Sequence, residues 1–266
     1  MVPDYHVHTA LCKHAEGNLP EYLAAAAAQG MDELCFTDHA PAPDGYDADS
    51  RMAIEQYPAY RQSVREARAS TPLNVLFGIE ADYYEGGQPF LERWLPEQPF
   101  DLVLGSVHYI RDWGFDNPAY LGAWDTVDLT ETWRSYFELV GRLADTGLFD
   151  VLGHPDLPKK FGHRASERDL QEMIQPALDR LAKAGMGMEL NTGGLRRPVA
   201  EIYPSLLILQ AARERGIPIC FGSDAHSPHD VGYRFDLALR LARQAGYTHY
   251  VRFRQRRRQL VKLPEI

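Results

Sequence analysis

Imidazoles and carboxylates recur in this chain where short apolar runs end. His6 and His8 close DYHVH, Asp38 and His39 follow ELCFT, and Glu80 follows NVLFGI. His108 follows LVLGSV, His154 follows VLG, Glu189 and Asn191 lie in GMELN, and Asp224 and His226 follow CFGS. These are the donors that Zn, Fe or Mn accept. Residues i and i+2 of a strand point to the same side, so His6 and His8 can converge on one ion. His14 follows across a short segment that can fold back over the same edge. Any one of these histidines alone reads as a hydrogen-bonded core or surface residue. Seven of the ten, at 6, 8, 14, 39, 108, 154 and 226, keep step with the run ends, and together they read as a metal centre. Cys12, between His8 and His14, is a further candidate ligand, although a small packing residue is the simpler reading. His163 and His229 read as pocket or loop residues, and His249 as structural.

Two basic pairs follow such run ends. Lys159-Lys160 comes after GHPDLP, and Arg196-Arg197 after ELNTGGL. Each reads either as a solvated loop or as an anion contact, and arginine's planar fork suits phosphate oxygens. Gly193 and Gly194 let the backbone turn sharply before the arginines.

Elements with β and α signals alternate along the chain, and they must position these groups. The strand candidates are Asp4–His8, Glu33–Thr37, Leu73–Ile79, Asp101–Val107, Asp150–His154, Gly187–Asn191 and Ile217–Gly222. The helix candidates are Leu19–Gln29, Ile54–Ala69, Leu129–Asp145, Ser166–Ala184, Tyr203–Arg215 and Val231–Gln244. Seven such units with no Pro/Gly/Ser linker predict one α/β domain over residues 1–266, with a parallel sheet wound open or closed as a barrel. The C-terminal ends of parallel strands form the catalytic face of such barrels. The long interruptions Ala40–Met52 and Tyr109–Asp128 both follow strand ends and would build the pocket.

The 266 residues are 45% hydrophobic and 24% charged, with a formal net charge of -9, which disfavours broad nucleic-acid binding. No apolar run approaches the roughly 18 residues needed to span a bilayer, and the N-terminus does not read as a signal peptide. Three cysteines without a CxxC pair predict no disulfide framework and a reducing, cytoplasmic setting. Residues 251–266 hold six basic residues against one acid, and read as a solvated terminal element or a polyanion contact.

The motifs DYHVHT, FTDHA, GIEAD, GSVHY, GHPDL and FGSDAHSP resemble, in order, the signatures of PHP-domain metallophosphoesterases over residues 4 to 228. CKHAEG, GHPDLPKKFG and ELNTGGLRRP resemble the histidinol-phosphate phosphatase branch of that family. The resemblance implies a distorted (β/α)7 barrel, TIM-barrel-like, with three divalent metal ions. By analogy one ion takes His6, His8, Glu80 and Asp224. A second shares Glu80 and adds His108 and His154, and the third uses His14, His39 and His226. The implied activity is hydrolysis of L-histidinol phosphate, a small phosphomonoester, in histidine biosynthesis through attack of a metal-bound hydroxide. Lys160, Arg196 and Arg197 would bind the substrate, with Arg196 holding equatorial phosphoryl oxygens beside the Asp224 site. Asp38 would orient an imidazole or carry a proton, and Glu189 would contact the substrate amine or serve the strand end. Two other enzymatic readings remain. One is a PHP phosphoesterase acting on a different phosphomonoester or on nucleic-acid ends. The other is an amidohydrolase-type hydrolase, although His108 stands where that pattern has a bridging lysine. A non-catalytic metal-binding module is a further possibility, which the full ligand set disfavours.

Overall fold

The computed structural model describes residues 1–265. Its strands are β1 (Asp4–Val7), β2 (Glu33–Phe36), β3 (Asn74–Asp82), β4 (Leu102–Ser106), a small hairpin β5 (Tyr109–Ile110) and β6 (Trp113–Gly114), then β7 (Val151–Leu152), β8 (Gly187–Asn191), β9 (Ile219–Gly222) and a terminal hairpin β10 (His249–Arg254) and β11 (Arg257–Lys262). The helices are α1 (Leu19–Ala28), α2 (Tyr57–Ser70), α3 (Gln88–Trp94), α4 (Leu129–Asp145), α5 (Glu167–Ala184), α6 (Leu206–Glu214) and α7 (Phe235–Gln244). Seven strands form one parallel sheet in the order β1-β2-β3-β4-β7-β8-β9. A bridge between Val7 and Ala225 brings its two edges together, so the sheet is a nearly closed barrel rather than an open one.

Local chemistry sets the helix ends. Asn18 and Glu21 form a reciprocal cap at the start of α1. Asp128 caps α4, and Ser166 caps α5, which stops at Gly185 with φ 69°. The faces of α4 and α5 bury Trp133, Tyr136, Phe137, Ile174 and Leu178 in the layer outside the sheet.

Inside the barrel, Tyr5, Cys35, Leu76, Leu102, Leu104, Val151 and Cys220 pack with Val251 and Phe253 of β10. The terminal hairpin therefore plugs the N-terminal end of the barrel. Its arginines pair with acids just ahead of the strands: Arg252 with Asp32 at 2.7 Å and Arg256 with Asp150 at 3.0 Å. The basic run is thus a terminal strand pair whose Arg254, Arg257 and Arg258 stay solvated, as expected, while its Val251 and Phe253 face the barrel. Helix α3 and this hairpin fall outside the sequence expectations. So does the late start of α6, because the Tyr203 backbone pairs with Asn191 instead of entering the helix. The three cysteines are unpaired and buried. Among the described residues no helix is long and apolar enough to cross a membrane.

Asp4 is central to closure. Its carboxylate accepts Ser223 N–H at 2.9 Å, Gly232 N–H at 2.8 Å and the Ser223 hydroxyl, which ties β1 to the end of β9 and the turn beyond it. Asp4→Ala removes the acceptor of three buried amides, Ser223, Gly232 and His6, and should lower the unfolding free energy by about 3 kcal/mol in chemical denaturation. An unchanged midpoint and slope would show that the edges close without this carboxylate.

Candidate metal centre

The opposite end of the barrel is polar. The strands or their exits deliver His6 and His8 from β1, Asp38 and His39 from β2, Glu80 from β3, His108 from β4, His154 from β7, Glu189 from β8, and Asp224 and His226 from β9. Glu80 sits at the centre, 1% exposed. Its Oε2 lies 3.2 Å from His6 Nε2, 3.5 Å from His8 Nε2 and 3.0 Å from His39 Nδ1. Its Oε1 lies 2.9 Å from His154 Nε2 and 3.7 Å from His108 Nε2, and accepts the Ser106 hydroxyl at 2.6 Å. Asp224 Oδ1 is 3.3 Å from His8 Nε2 and 3.8 Å from His6 Nε2. His8 stacks on His226, with ring centroids 4.0 Å apart.

Donor atoms group within 4.8 Å of one another as His6–His8–Asp224, His6–Glu80–His154 and His8–His39–His226. The exposed His14 lies over the rim, its ring 4.5 Å from His226 and 5.7 Å from His39. Cys12 also falls within range of His14 and His226, while remaining fully buried.

The donor chemistry fits divalent cations. His6 Nε2, His8 Nε2, His39 Nδ1, Glu80 Oε2 and His226 Nε2 are buried and accept or donate no hydrogen bond within the protein. Burial pushes the Glu80 carboxyl up, yet the charge of His6 and the hydrogen bond from His154 help hold the group well below its ordinary range. Asp224 is held low in the same way, against its burial, chiefly by His6 and His8. Burial depresses His39, while His226 is depressed by burial and by the charge of His8. Both are therefore favoured as neutral imidazoles, the form that binds metal. Against burial, the surrounding carboxylates raise His6 and His8. Such a field draws positive charge inward.

A second layer of side chains aims the donors. Glu189 Oε1 bonds His6 Nδ1 at 2.8 Å, and its Oε2 accepts the His154 amide at 2.9 Å. It is fully buried beneath His6, which corrects its alternative reading as a substrate contact. Gly222 leaves room for that carboxylate, since a Cβ there would stand 1.8 Å from Glu189 Oε1. Asp38 accepts the His39 amide at 2.8 Å and the Thr9 amide at 3.2 Å, and faces His8 Nδ1 at 3.8 Å. Those contacts suit an orienting group. Asp82, missed from the sequence, bonds His108 Nδ1 at 2.9 Å and Arg51 at 2.8 Å. Its place two residues beyond Glu80 on one strand was the available signal. His154 and Asp224 hold positive φ values of 24° and 55°, conformations that cost about 1–3 kcal/mol each.

Above the donors lies a cavity of about 330 Å³, lined by His14, His39, Glu80, His108, His154, Asp224 and His226 and also by Asp47, Asp116, Lys160, Arg197 and Tyr203. Lys160 reaches Asp116 at 3.0 Å. Lys159 instead turns inward to Asp156 and the Ile202 carbonyl, both at 2.8 Å. The adjacent arginines also diverge. Arg197 lines this cavity. Arg196 turns away, donating to the Ser223 and Asp224 carbonyls at 2.8 and 2.9 Å and meeting Asp230 at 3.2 Å. Arg196 thus clamps the backbone that carries Asp224, while its Nη1 is left without a partner and the side chain borders a groove shared with His14 and His226. His163 stacks on Trp124 at 4.3 Å, away from the donors.

Comparison with known proteins agrees with this architecture. The chain is 46% identical over 259 residues to a protein of Deinococcus radiodurans named "Probable histidinol-phosphatase", covering 96% of this chain and 98% of that one. It is 28% identical to the histidinol-phosphatase of Bacillus subtilis, over 89% of this chain and 97% of the relative. The fold is shared with a histidinol phosphate phosphatase of Lactococcus lactis crystallised with zinc, L-histidinol and phosphate. That structure has a TM-score of 0.82 at 21% identity, covering 97% of this chain and 98% of that one. The model of the "PHP-associated" segment matches residues 206–234. The "PHP domain" model matches residues 4–193, well over half of the chain, and this protein belongs to the PHP-domain family.

Proposed function

We propose that this protein is a metal-dependent phosphomonoesterase that hydrolyses L-histidinol phosphate to L-histidinol and phosphate in histidine biosynthesis, in a cytoplasmic setting. The observation that carries the reading is the buried donor cluster around Glu80, which opens into a small cavity bearing Lys160 and Arg197. The relative at 46% identity supports the choice of substrate. Charges of both signs line the cavity, with Lys160 and Arg197 suited to a phosphate and Asp47 and Asp116 to a cationic amine or imidazole. That small, two-signed cavity favours a small zwitterionic ester over a nucleic-acid end.

His6, His8, Glu80 and Asp224 would hold one ion, with His108 and His154 sharing Glu80 for a second. His14, His39 and His226 would hold a third. When bound, Zn, Fe or Mn ions supply Lewis acidity that activates water at neutral pH and offsets phosphate charge. The chain contributes the rest. Arg197 and Lys160 orient the phosphoryl group, and Arg197 can grip two of its oxygens. Glu189, Asp82 and Asp38 fix the directions of His6, His108 and His8. Arg196 acts through position, by holding the carbonyls on either side of the Asp224 amide.

Natively purified protein should carry about three divalent equivalents, one for each of the three ligand sets proposed above. Phosphate release from L-histidinol phosphate should vanish on chelation and return with added metal. Turnover that survives full metal removal would defeat the reading, and faster turnover of unrelated phosphomonoesters would defeat the substrate. Glu189→Gln should weaken metal affinity about 10–100-fold while the metal-saturated KM stays the same. A raised KM with intact metal binding would return Glu189 to the substrate. Arg197→Ala should raise KM about tenfold with metal content unchanged, as expected for the loss of a charge-assisted contact. Arg196→Ala should instead lower metal content, and equal effects of the two variants would contradict their divergent geometry.

A further inference from the structure

Tyr203 carries a hydroxyl that makes no hydrogen bond within the protein, although the residue is 2% exposed. It lines the same cavity as Lys160, Arg197 and Asp224. A buried hydroxyl without a partner costs stability, so one held rigidly at a cavity wall calls for a reason. Three constraints hold this ring. Its backbone is paired with the end of β8, Asn191 N–H donating to Tyr203 O at 2.7 Å and Tyr203 N–H to Asn191 O at 2.9 Å. The hydroxyl end of the ring passes over Gly194, where a Cβ would meet Tyr203 Cε2 at 2.8 Å and Cζ at 2.9 Å. The Lys159 ammonium stands 5.3 Å from the ring centroid. Lys159 is itself anchored to Asp156, so the support is rigid.

We propose that Tyr203 is a catalytic residue whose hydroxyl donates a hydrogen bond to a non-bridging phosphoryl oxygen of the substrate. With Arg197, on the same connection between β8 and α6, and with Lys160, it completes an anion-binding wall. Burial pushes the phenol further above its ordinary pKa, so it stays protonated and serves as a donor. The donor is neutral, and it fixes the orientation of the phosphoryl group without adding charge. This assignment rests on the phosphomonoesterase reading, but it can be tested with inorganic phosphate alone.

The test is Tyr203→Phe in the metal-loaded enzyme, with phosphate binding measured by calorimetry and metal content and Tm measured in parallel. Phosphate should bind about 10–100-fold more weakly, as expected for one hydrogen bond to a charged group. Metal content should hold, and Tm should stay level or rise because an unpaired buried hydroxyl is gone. Unchanged phosphate affinity would overturn the proposal. A fall in Tm with loss of metal would also overturn it, by showing that the hydroxyl serves the fold. If phosphate binding depends on Tyr203 but L-histidinol phosphate is not hydrolysed, the substrate fails and the assignment of Tyr203 stands.

Discussion

Much of this architecture depends on one buried carboxylate. Glu80 has five imidazoles within 4 Å of its two oxygens, drawn from β1, the exits of β2 and β4, and the exit of β7. A charge with so little access to water persists only where surrounding groups replace its hydration. The neighbouring imidazoles do this in part, and cations would complete it. The barrel supplies the geometry, because only a closed parallel sheet aims the ends of so many strands at one point. Closure in turn rests on Asp4 and the Val7–Ala225 bridge, which lie next to the donors they bring together.

The two ends of the barrel obey opposite rules. At the plugged end, Tyr5, Leu76, Leu102 and Phe253 make an ordinary apolar interior, and the acids ahead of the strands are neutralised by arginines of the terminal hairpin. At the rim, buried donor atoms lack hydrogen-bond partners. The rim sacrifices stability to hold its side chains ready, and the plugged end offsets that cost.

Much of this was legible because barrel chemistry lies at strand ends, which sequence marks well. The runs ending at His8, Glu80 and His108 stand out because β-branched and aromatic residues precede a single polar side chain. Pairings across long separations were not legible. Glu189 meets His6 across 183 positions, and no local pattern reveals it. Nor could sequence separate Arg196 from Arg197, since their opposite directions follow from one tight turn after β8. Tyr203 escaped notice for another reason. Its interest lies in what its hydroxyl lacks, and only coordinates display that.

The hairpin plug has a consequence for traffic. With β10 sealing one end of the barrel, the cavity can communicate with solvent only through the rim. Arrival and departure therefore share a single doorway. Whatever enters or leaves passes the charged side chains that line that opening, His14, Lys160 and Arg197 among them.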